Sequence, residues 1–193
     1  MLHGAKHSTG VHWPHLRIFT LALAACTSCD GLPGHDSTAC ADTASVLPSS
    51  CACDVPTVEI GGGDIAFVEA SDGMPATMVH GPQGGWHLLG SARMVNFAPI
   101  VTIHYTVTAV ALGTVVSDNT YRVQMVAESD CTGFYPGMYG YLDVTDLASG
   151  EVDTPPEVLA GQQLVLRMDV TDTEGRLAED ELVVIAALDE ADL

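Results

Sequence analysis

From residue 55 onward, apolar and polar residues alternate with a period of two through much of the chain. In "VTIHYTVTA", Val101, Ile103, Tyr105, Val107 and Ala109 fall on one side, and Thr102, His104, Thr106 and Thr108 on the other. "YRVQMVA" sets Tyr121, Val123, Met125 and Ala127 against Arg122 and Gln124. "QLVLRMDV" sets Leu164, Leu166, Met168 and Val170 against Val165, Arg167 and Asp169. Successive side chains of a strand point to opposite faces, so this pattern predicts strands buried on one face only. β-branched residues dominate the runs, and the clusters Ser71-Asp72-Gly73 and Ser117-Asp118-Asn119 read as turns between them. No long helical period competes. The prediction is an all-β fold, an antiparallel β-sandwich over residues 55–193.

The end of the chain sharpens that expectation. "LVLRMDVTDTEGRLAEDELVVIAAL" reads as strand, polar turn and strand, with Gly175 where a tight turn uses positive φ. An alternating strand running into Val170-x-Asp172-x-x-Gly175 and a closing strand resembles the last hairpin of bacterial immunoglobulin-like and PKD-like modules. The resemblance implies a Greek-key, immunoglobulin-like sandwich. The Cys…Trp…Cys spacing of antibody domains is missing. From "HGPQGGWH" onward the chain is also similar to acidic lipoproteins of myxobacteria, a likeness that brings no function with it.

The first 25 residues have a different character. Lys6 and Arg17 stand in an acid-free stretch, and a short apolar run follows from Ile18 to Ala25. Eight residues are too few to span a bilayer, which takes about 20, but they suit the apolar region of a secretory signal. The run ends in Leu23-Ala24-Ala25-Cys26, which resembles the lipobox of bacterial lipoproteins. That resemblance implies cleavage before Cys26, acylation of its thiol, and attachment to membrane through the lipid. The alternative is an ordinary signal peptide cleaved after an alanine. Thr27 in place of Asp resembles lipoproteins sorted to the outer membrane, at its periplasmic face or the cell surface.

Residues 26–54 are small, polar and aperiodic, with two Pro and two Gly, and read as a disordered, flexible tether. They hold Cys29, Cys40, Cys51 and Cys53 besides Cys26, while Cys131 stands alone in the domain. An oxidising envelope favours pairing among these five disulfide candidates, with Cys51 or Cys53 expected to join Cys131. Cys51-Ala-Cys53 as a thiolate site for Cu(I) is the competing reading.

Charge removes whole classes of function. Six Lys and Arg stand against 25 Asp and Glu, a formal net charge of -19. Beyond residue 25 the bases are Arg93, Arg122, Arg167 and Arg176, with no lysine. Nucleic acid needs clustered Lys and Arg to release counterions, and anionic lipid needs a basic patch, so both are excluded as partners of the domain surface. The surplus of acid reads first as solubility or adaptation to salt, and second as attraction for cations.

"HGPQGGWH", residues 80–87, is the stretch that most invites chemistry. A phosphate cradle needs a glycine loop opening a helix, usually with a Lys, and neither is present. No G-x-S-x-G elbow or H-E-x-x-H helix occurs, and Asp169, Asp172 and Glu174 do not meet the EF-hand pattern. Those acids read as a solvated hairpin tip. The sharp hypothesis is metal: His80, His87 and His104, with His87 and His104 pictured on one face of adjacent strands and Met78 and Met94 nearby, suit copper or zinc. The plainer reading is a turn. Pro82 breaks a strand ending at His80, Gly84-Gly85 permits positive φ, and Trp86 anchors the core alongside Leu88. The expectation is therefore a non-enzymatic, lipid-anchored envelope protein without a cofactor. It acts as a binding or structural module with an envelope protein or glycan as partner, and the alternative is copper or zinc binding through the histidines.

Overall fold

The computed structural model of the chain describes residues 55–81, 84–147 and 154–189. Residues 1–25, expected as a signal, and 26–54, expected as a tether, with Cys26, Cys29, Cys40, Cys51 and Cys53, lie outside the described residues. Within them the order is β1 (Thr57–Gly62), β2 (Val68–Glu69), β3 (Pro75–His80), β4 (Trp86–Val95), β5 (Ile100–Ala109), β6 (Thr114–Gln124), β7 (Val126–Ser129), β8 (Thr132–Tyr141), α1 (Pro155–Leu159), β9 (Gln163–Asp172) and β10 (Leu177–Leu188). The fold is all-β apart from the one-turn helix. In α1 the Glu157 carboxylate accepts hydrogen bonds from the Thr154 N–H at 2.7 Å and its hydroxyl at 3.1 Å, closing the first turn. Among the described residues no helix is long and apolar enough to cross a membrane.

The period-two pattern lands as the alternation demands. β5 buries Val101, Ile103, Tyr105, Val107 and Ala109, and β9 buries Leu164, Leu166, Met168 and Val170. The two strands pair antiparallel from Val101↔Asp172 to Ala109↔Leu164, so their apolar sides share one face. Each fully buried Leu, Ile or Met there contributes about 1.5–3 kcal/mol relative to exposure. One expected turn is absent. Ser117, Asp118 and Asn119 lie inside β6, paired with Val107, Thr106 and Tyr105. Their polar side chains face solvent or each other rather than marking a break, and the true turn is Val110–Gly113, where Gly113 takes φ 63°.

Strand pairing runs β7–β8–β4–β1–β2 on one side and β3–β10–β9–β5–β6 on the other. The two runs join where β3 meets the start of β4, Met78↔Leu88 to His80↔Trp86, so the whole is one curled sheet. The sheet is mixed, which corrects the purely antiparallel expectation: β10 pairs β3 in parallel, Ile185↔Pro75 to Leu188↔Met78. Parallel neighbours need a long connection, and here most of the domain lies between them. Alternation within a strand carries no information about such a distant partner. Between the two runs lies the core, which includes Ile60, Leu88, Met94, Phe97, Tyr105, Met138 and Met168. Tyr105 is accommodated by two glycines: a Cβ at Gly90 or Gly140 would come within 2.9 or 3.0 Å of its ring.

Candidate functional site

The histidine-glycine stretch is a hairpin closure. Among its residues Pro82 and Gln83 lie outside those described. Gly81 N–H donates to Gly85 O at 2.9 Å and Gly84 N–H to Gly81 O at 3.0 Å. Gly84 and Gly85 take φ 83° and 86°, the left-handed region that a Cβ disfavours. His80 and Trp86 then face each other in register, rings 5.0 Å apart and tilted by 50°. Trp86 is half-buried and packs against the core, while Leu88 two residues on is fully inside.

His87 takes the other face of β4, where it is only 5% exposed. It meets Tyr139 edge-on at 4.6 Å and Tyr141 at 6.2 Å, and those two rings stack at 5.8 Å. Burial, and then the nearby His80, holds its pKa below the ordinary value. His104 sits elsewhere, on the outer face of β5. Its Nε2 lies 2.8 Å from Asp118 Oδ1 and its Nδ1 3.8 Å from Asp169 Oδ2.

The structure does not bring His80, His87 and His104 together. β4 pairs with β1, β3 and β8, whereas β5 pairs with β6 and β9. The chain passes between the two runs at 96–99, so strands adjacent in sequence are not adjacent in the sheet. Among the described residues no group of three His, Cys, Asp or Glu side chains could hold a metal ion. Met78 and Met94 are core residues, each fully buried. Cys131 is disulfide-bonded; the other disulfide candidates, like Cys26, lie outside the described residues.

Three arginines are engaged by carboxylates. Arg93 faces Glu59, Glu69 and Glu128 at 3.1–3.5 Å and lies over the Phe67 ring at 4.3 Å. Arg167 holds Asp169 at 2.7 Å, Glu181 at 2.8 Å and Glu179, and its hydrogen bonds keep the Asp169 carboxyl below the usual range. Arg176 holds Asp172 at 2.7 Å.

Asp172 corrects the picture of a solvated hairpin tip. Its side chain has no exposure. Oδ2 accepts from Ala98 N–H at 2.9 Å and from Arg176 Nε, and Oδ1 accepts from the Glu174 and Arg176 N–H groups, each at 2.9 Å. Burial alone would raise its pKa, but these hydrogen bonds outweigh it and hold the carboxyl below its ordinary value. A carboxylate so occupied ties the β9–β10 turn to the β4–β5 connection and has no free oxygen to offer calcium. Ser91 is a second residue that pattern reasoning passed over. Fully buried in β4, it donates to Gly63 O at 2.7 Å and accepts from Gly137 N–H at 3.3 Å. The D-x-x-G spacing signalled the Asp172 turn; nothing local to Ser91 signals its partners, which lie 28 and 46 residues away.

No family model matches the chain, and no curated protein matches it. Among solved structures, the CooA pilin subunit from enterotoxigenic Escherichia coli is similar over 69% of this chain and 99% of its own, at 13% identity and a TM-score of 0.32.

Proposed function

We propose that the chain is a lipid-anchored envelope protein whose β-domain is a non-catalytic binding or structural module. The observation that carries the reading is Leu23-Ala24-Ala25-Cys26 behind a basic, acid-free segment and a short apolar run. Acyl chains on Cys26 hold the protein to the outer membrane, and residues 27–54 set the domain off from it. Two chains give stable attachment where one is marginal. The domain's ionisable groups support a structural role. Arg93, Arg167 and Arg176 are each taken up by carboxylates, and His87 is packed against tyrosines.

The immunoglobulin-like, Greek-key description belongs to the same proposal. Its support is the pairing order: β1–β4–β8–β7 in one run, β10–β9–β5–β6 in the other, and a short strand, β3, parallel to the last. Cys51 or Cys53 is proposed as the partner of Cys131, fastening the tether to the start of β8.

Intact mass of the protein purified from its native membrane tests the anchor. A chain beginning at Cys26 with acyl chains, lost in Cys26→Ala, is the expected result, and peptide mapping of the same sample reports the partner of Cys131. An unacylated chain cleaved elsewhere overturns the lipid-anchored reading.

A further inference from the structure

The molecule has an apolar opening that the histidine-glycine turn, the arginine clusters and the tyrosines do not use. Where β1 parts from β4 and β3 takes its place, a cleft of about 280 Å³ runs between β1–β2 and β3 down to the core. Val68, Ala76 and Val79 line it together with Leu166, Leu182 and Val184. Gly62 contributes no side chain to its wall, and a Cβ there would meet nothing within 4 Å. Glu69 is the one ionisable residue among those lining it, and its side chain is 76% exposed.

Beside this cleft a sheet edge is open. β3 has β10 on one side over Pro75–Met78, but on the other it has β4 only from Met78 to His80. Pro75–Thr77 are thus paired on one edge only among the described residues. An unpaired strand edge next to an aliphatic slot has the two elements of strand addition: main-chain bonding for affinity and a pocket for alternate side chains. Aliphatic lining selects aliphatic side chains. Glu69 on the rim shares Arg93 with Glu59 and Glu128, three carboxylates to one guanidinium, and that surplus of negative charge, on a chain with 25 acids against six bases, selects a partner whose flanking charge is positive.

We propose that this cleft docks an extended segment of a partner polypeptide, laid alongside Pro75–Thr77, with one or two aliphatic side chains in the slot and Lys or Arg flanking them. The proposal rests on the binding-module part of the reading above and is independent of the lipid anchor, so the mass measurement on Cys26 and the titration below fail separately.

The test uses the full chain carrying Cys26→Ala, labelled with ¹⁵N. It is titrated with a decapeptide pool Lys-Lys-(Z-Thr)₃-Lys-Lys, in which Z is Ala, Val, Leu or Ile. Saturable shifts at the amides of Gly62, Thr77 and Val184 are expected. They should weaken about tenfold in Gly62→Leu, whose side chain occupies the slot, and vanish with peptides N-methylated at alternate residues. The N-methylated pool decides the matter if Gly62→Leu does not fold. Three results overturn the proposal: no saturable shift up to about 1 mM peptide, undiminished binding of the N-methylated pool, or a sedimentation mass showing a second copy of the chain on the same amides.

Discussion

Removing the Asp172 carboxylate should cost the domain more than any other single change at a charged residue described above. Asp172→Ala leaves the Ala98, Glu174 and Arg176 N–H groups without their acceptor and takes from the Arg176 guanidinium its 2.7 Å partner, leaving Glu174 at 3.4 Å. A hydrogen bond to a charged group is worth about 1.5–3 kcal/mol, and breaking a buried pair by deleting one member costs about 3–5 kcal/mol. Because the four contacts act as a unit, the second figure is the better guide, and a loss of about 3–5 kcal/mol is expected. Asp172→Asn keeps one acceptor oxygen but turns an amide toward a donor, for an intermediate loss of about 1.5–3 kcal/mol. Asp169→Ala is the comparison: its side chain is 39% exposed beside Arg167, and solvent screening limits its loss to about 0–1 kcal/mol. Urea unfolding of the three variants, followed by tryptophan fluorescence, gives the values. The same carboxylate predicts a pH effect. Its folded-state pKa lies below the ordinary 3.8, so its contribution is full above that value and is lost as pH falls through the lower folded-state one. The wild type should therefore lose more stability than Asp172→Asn as pH falls below about 4. A cost under about 1 kcal/mol for Asp172→Ala would refute the reasoning, since it would mean the buried contacts contribute no more than an exposed pair.

The fold class was legible because half-buried strands write their burial into a period of two. β5 and β9 carried that signal cleanly, and their pairing preserved it residue by residue. What alternation cannot encode is which strand lies beside which. The picture of His87 and His104 side by side assumed that neighbours in sequence are neighbours in the sheet, and the crossing at 96–99 breaks that assumption. The Ser117-Asp118-Asn119 error has another cause. Turn-forming residues are also tolerated in an edge strand when their polar groups find partners: Asp118, on the exposed face, pairs with His104, and the Asn119 amide donates to the buried Ser117 Oγ at 2.7 Å. Asp172 was read as solvated because composition alone makes an acid look exposed. Its burial follows from a contact 74 residues away, with Ala98. The apolar cleft was equally hidden, because it is made by β1 and β3 sharing one edge of β4, with glycines at 61–63 that add no side chain to its wall.

Three further tests probe the interior. His87 is held below the ordinary 6.5 by burial first and His80 second, so the folded state prefers the neutral ring and the unfolded chain takes the proton first. Stability from this group is full above 6.5 and declines as pH falls below it. Urea midpoints measured from pH 7.5 to 5.5 should drop for the wild type and drop less for His87→Gln; equal slopes would show that His87 is not the titrating group. Tyr105 is fully buried, and among the described residues its hydroxyl has no hydrogen-bond partner. A buried hydroxyl without a partner costs about 1–3 kcal/mol, so Tyr105→Phe should leave stability unchanged or raise it by about 1 kcal/mol. A loss above 1 kcal/mol would reveal a partner for the hydroxyl. The ring itself is tightly held, since a Cβ at Gly140 would lie 3.0 Å from Tyr105 Cε1 and 3.3 Å from Leu88 O. Gly140→Ala should therefore cost about 1–3 kcal/mol through overpacking. Part of that cost should return when Tyr105→Leu removes the ring edge, giving a coupling of about 0.5 kcal/mol or more in a double-mutant cycle. Additive losses would mean that the backbone oxygen of Leu88, not the tyrosine ring, sets the limit at that glycine.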